Sequence, residues 1–86
     1  MTKIDFSRLK MKDIEGNETE MDIRSLFGNM LYMQGQTIAE CELGIKVYHQ
    51  KENEPLELDT EQSEIVKRYA DRLPYVPRQA ILENFS

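Results

Sequence analysis

The sequence predicts an α+β fold, an N-terminal β-hairpin packed on a small bundle of about four short helices. Three observations point to it. Two stretches flanking Glu15-Gly16-Asn17 alternate apolar and polar residues, apolar residues recur at helical spacing from Asp22 onward, and the helical stretches begin or end at capping residues, glycine or proline.

In residues 3 to 12, KIDFSRLKMK, Ile4 and Phe6 share one phase of an extended chain, and Leu9 and Met11 share another after a one-residue shift. A strand with a bulge or bend near Ser7 reconciles them. Gly16 and Asn17 tolerate positive φ, and Glu18-Thr19-Glu20-Met21 alternates again, so a hairpin is expected with Leu9 and Met11 near Thr19 and Met21. Two strands do not stand alone, and one face must lie on the helices.

Ile23, Leu26, Phe27, Met30 and Leu31 form a helical stripe, with Asp22 as N-cap or first-turn acid. Tyr32 and Met33 extend the apolar surface beyond that stripe. Gly28 lies off it, so either the helix ends there or something packs closely over it. After Gln34-Gly35-Gln36, the run Thr37-Ile38-Ala39-Glu40 has the form of a capping box.

The second helix carries two apolar rows, one of Ile38, Cys41, Ile45 and Tyr48, the other of Ala39, Leu43 and Val47. Residues 38–49 also alternate as a strand would, and the capping box and length favour helix. QKENEP is a polar loop, and Leu56-Glu57-Leu58 is extended. Asp59 and Gln62 then cap a third helix whose stripe is Ile65, Val66, Tyr69, Ala70 and Leu73. Pro74 stops it, Pro77 suits the first turn of a short last helix, and Phe85 closes near the terminus.

Length and composition set the function classes. The 86 residues, 40% hydrophobic and 31% charged, suit a single domain, with the hairpin at about 3–21 and the helical part at about 22–86. A net charge of −5 repels phosphate backbones and anionic membranes. Cys41 is the sole cysteine, and no apolar run near Met1 suggests a signal peptide. A soluble cytoplasmic protein is expected.

No residue pattern calls for catalysis, metal or cofactor. The acids Asp13, Glu15, Glu18, Glu20 and Asp22 miss the calcium-loop spacing, because counting from Asp13 puts Arg24 where a bidentate Glu is required. Cys41 and His49 stand too far apart on one helix for a nucleophilic pair, and no further Cys or His completes a zinc set. The basic residues Lys67, Arg68, Arg72 and Arg78 flank a helix-Pro-helix segment, which makes a nucleic-acid-binding regulator the alternative. An acidic mimic of DNA, acting through the Glu52 to Glu64 surface, is a third reading.

The order D-I-E-G-N, L-F-G-N-M-L-Y, E-L-G-I-K-V-Y-H and L-E-L-D before a capped helix resembles small uncharacterised proteins of bacterial phages, prophages and integrated mobile elements. That resemblance implies a non-enzymatic assembly or accessory role. The apolar excess on two-faced helices points to a protein-interaction module and predicts a homodimer with Tyr32, Met33, Leu43 and Val47 at its interface.

Overall fold

The computed structural model describes residues 2–85. The chain runs β1 (Thr2–Ile4), β2 (Leu9–Lys12), β3 (Glu18–Met21), α1 (Arg24–Gln34), α2 (Ile38–Tyr48), β4 (Leu56–Leu58), α3 (Thr60–Ala70) and α4 (Tyr75–Leu82), then a 3-10 turn at Glu83–Phe85. It is the expected α+β arrangement. One core joins its parts, built from Ile4, Phe6 and Leu9 at the N-terminal end and from residues of all four helices.

The bend near Ser7 divides the N-terminal stretch into two strands with different partners. β2 and β3 form the antiparallel hairpin, with Leu9 opposite Met21 and Met11 opposite Thr19. β1 leaves it and pairs with β4 in a separate two-stranded sheet, Lys3 opposite Glu57. The sequence showed β4 as extended chain without its partner. At the hairpin tip Gly16 takes φ +87°, the Asp13 carboxylate accepts the amides of Glu15 and Asn17, and Ile14 lies fully in solvent.

Phe6 anchors this end to α1. Its ring stacks on that of Phe27 with centroids 5.6 Å apart, and its carbonyl accepts the Ile23 amide at 2.8 Å. The Gln50 side chain accepts the buried Phe6 amide at 2.9 Å and donates to the Asp5 carboxylate at 2.8 Å.

The N-cap position of α1 is Ile23, one residue later than expected, while the Asp22 carboxylate accepts the Arg24 amide at 3.0 Å. The helix continues through Gly28, and what packs over that glycine is Gly44. Residues 38–48 are helical, and Thr37 caps α2 by accepting the Glu40 amide at 3.2 Å. Asp59 and Gln62 complete both bonds of the capping box on α3. Pro74 stands at the N-cap position of α4 and Phe85 packs against the core.

Candidate functional site

Of the two apolar rows on α2, the core takes Leu43 and Val47, which are 1% and 0% exposed. This corrects their expected place at an interface. The Ala39–Leu43–Val47 row is wholly aliphatic and buries with no polar group to satisfy, whereas the opposite row ends in a tyrosine whose hydroxyl would need a hydrogen-bond partner if buried. That second row is the outward one. Ile38 is 77% exposed and Ile45 and Tyr48 are each 47% exposed.

Across the α1–α2 seam from this row stands Tyr32, 52% exposed. Gly28, Asn29, Tyr32, Gly44, Ile45, Tyr48 and His49 line one shallow groove of about 320 Å³. The glycines form its floor because they let the two helices meet backbone to backbone. The His49 ring meets Tyr48 edge-on at 5.1 Å, and the Cys41 thiol lies 3.6 Å from the Tyr32 carbonyl, closing the face toward the α1–α2 turn.

Met33 does not join this groove. Consecutive residues point about 100° apart around a helix, and Tyr32 follows Gly28 by one turn while Met33 follows Leu26 by two. Leu26 and Met33 are exposed on the other flank of α1, with Met30 half-buried between them and the core. The outward row was visible in the sequence, yet Ile38, Ile45 and Tyr48 were missed as surface residues. Gly28 and Gly44 were the signal: paired glycines mark the side on which the helices touch, and hence the row that lies just beyond the contact.

The face is held in place by a polar cluster on the core side of α2. Glu40, 6% exposed, accepts the Tyr69 hydroxyl at 2.5 Å, the Gln36 amide at 2.9 Å and the Arg68 guanidinium at 2.8 Å. The Tyr69 hydrogen bond, followed by the Gln36 amide, holds the Glu40 carboxyl below its ordinary range. The same bond to Glu40, with burial, pushes the Tyr69 phenol up.

This network also occupies two of the four C-terminal cations. Arg68 is bound to Glu40, and Arg72 stacks on the Tyr69 ring at 4.4 Å while donating to the Gln34 side chain at 2.5 Å. Lys67 lies 3.6 Å from Glu64 and 5.0 Å from the Phe85 ring centroid, and Arg78 lies over Tyr75 at 5.5 Å. All four are therefore engaged within the chain. Among the described residues no helix is long and apolar enough to cross a membrane. No protein-family model, curated protein or solved structure matches the chain.

Proposed function

We propose that the chain is a non-enzymatic protein-interaction module that pairs with a second copy of itself through the outer face of α1 and α2. One observation carries this reading: Tyr32, Ile45 and Tyr48 stay exposed around the groove between α1 and α2, and Ile38 extends that apolar row along α2, while the core-facing rows of both helices are buried. Exposed apolar groups gathered on one face gain from being covered, while scattered ones are ordinary surface. The resemblance to small phage and mobile-element proteins supports an assembly or accessory role for such a module. The nucleic-acid and DNA-mimic alternatives draw less support, since Lys67, Arg68, Arg72 and Arg78 already have partners in the chain and no feature selects a docking enzyme.

Light scattering across a concentration series tests the proposal. A native dimer that Ile45→Ser dissociates, with its far-ultraviolet dichroism unchanged, is the expected result. A monomer at every concentration sinks the reading.

A further inference from the structure

The outward row of α2 has the same spacing in both directions, three, four and three residues, although its side chains differ. Ile38, Cys41, Ile45 and Tyr48 lie symmetrically about the middle of the helix. Resting on the self-pairing reading above, we propose that two copies dock with their α2 helices antiparallel, about a two-fold axis passing near Leu43 and Gly44. Ile38 then meets Tyr48 of the second copy, and Cys41 meets Ile45 of the second copy. Each contact occurs twice, as a two-fold interface requires.

The rim selects this orientation. Glu42 and Lys46 are exposed, one helical turn apart, on the flank of the row away from α1. Neither joins the ion pairs of the described residues, which are Arg24–Asp22, Lys67–Glu64 and Arg68–Glu40. When helices pack antiparallel, like flanks meet, so Glu42 of each copy faces Lys46 of the other. On the opposite flank α1 meets α1, and the groove around Tyr32 is closed by four helices. A parallel arrangement would instead set Glu42 and Lys46 against the α1 flank of the second copy, where Asn29 and Tyr32 offer no opposite charge. The row itself holds no cation, so it does not suit a phosphate-bearing partner.

The α2 helix, about 16 Å long, offers a contact at the small end of specific interfaces, so pairing is expected at roughly micromolar concentrations. Sedimentation equilibrium at low salt, from about 10 to about 500 μM, would compare the native chain with Glu42→Lys, Lys46→Glu and the double exchange. Circular dichroism would verify folding of each. The native chain should dimerise, each single exchange should raise the dissociation constant roughly tenfold, and the double exchange should return it to within about threefold of native. A dimer indifferent to the single exchanges, or not restored by the double one, overturns the antiparallel register while self-pairing stands. A native chain that remains monomeric throughout overturns both.

Discussion

Gly28 and Gly44 press backbone to backbone: a Cβ on Gly28 would stand 2.9 Å from the Gly44 carbonyl oxygen, and one on Gly44 would stand 2.7 Å from that of Gly28. Neither obstacle is a movable side-chain end. Alanine improves helix propensity by about 1 kcal/mol, yet here the helices must part to admit it. Gly44→Ala is expected to lower stability by a net ~1–2 kcal/mol in urea unfolding, with Gly28→Ala somewhat milder. Unchanged or increased stability would show that the two helices separate freely.

Val47 has no exposed surface. Val47→Glu buries an unpartnered charge and is expected to cost more than about 3 kcal/mol, enough to unfold a marginal domain. Ile45→Ser, on the outward row of the same helix, should change monomer stability by less than about 1 kcal/mol. Circular dichroism of both variants separates the two rows directly, and a folded Val47→Glu chain would contradict the core assignment.

Glu40 and Tyr69 form a bond between a buried carboxylate and a phenol. Tyr69→Phe keeps the ring and removes the donor, so a loss of about 1.5–3 kcal/mol is expected. A double-mutant cycle with Glu40→Gln would measure the coupling, and additive effects would rule it out. Glu40 also sets a pH dependence. Because its folded value is lowered, chiefly by the Tyr69 bond, its contribution is fully present above its ordinary value of 4.5 and is lost as pH falls through the lower folded one. Native stability should therefore fall below about pH 4.5, and Glu40→Gln should flatten part of that slope in acid titrations.

Gln50 serves two neighbours at once, accepting from the Phe6 amide and donating to the Asp5 carboxylate. Gln50→Ala leaves a buried amide without an acceptor and is expected to cost about 1–3 kcal/mol. Gln50→Glu keeps an acceptor for Phe6 but sets its charge against Asp5, so its loss should shrink as pH falls and either carboxylate is protonated. Thermal melts at neutral and acidic pH would reveal that difference, and identical losses at both would exclude charge repulsion.

What the sequence disclosed was mostly local. The Asp59–Gln62 box and the hairpin register about Gly16 each depend on residues a few positions apart, and both are present, whereas α3 ends at Ala70, short of the expected stop at Pro74, and leaves Leu73 outside the helix. Long-range choices were not legible. Periodicity showed that α2 had two apolar rows, but which one faced the core depended on Leu31 and Phe27 arriving from α1. Glu40 read as a capping residue, and its burial depends on Tyr69 and Arg68 from α3. β1 and β4 are each three residues long, too short to announce a partner so far along the chain.

That distant pairing has a consequence for the order of folding. The β2–β3 hairpin and the α1–α2 pair join neighbours in the chain and can close early, with little loss of chain entropy. Lys3 reaches Glu57 only by closing the loop that contains both of those units. The entropy of that closure is recovered only when the Phe6 end and α3 meet in the common core. The β1–β4 ladder should therefore be the last element to form and the first to exchange its amide hydrogens, while the glycine-paired helices exchange last.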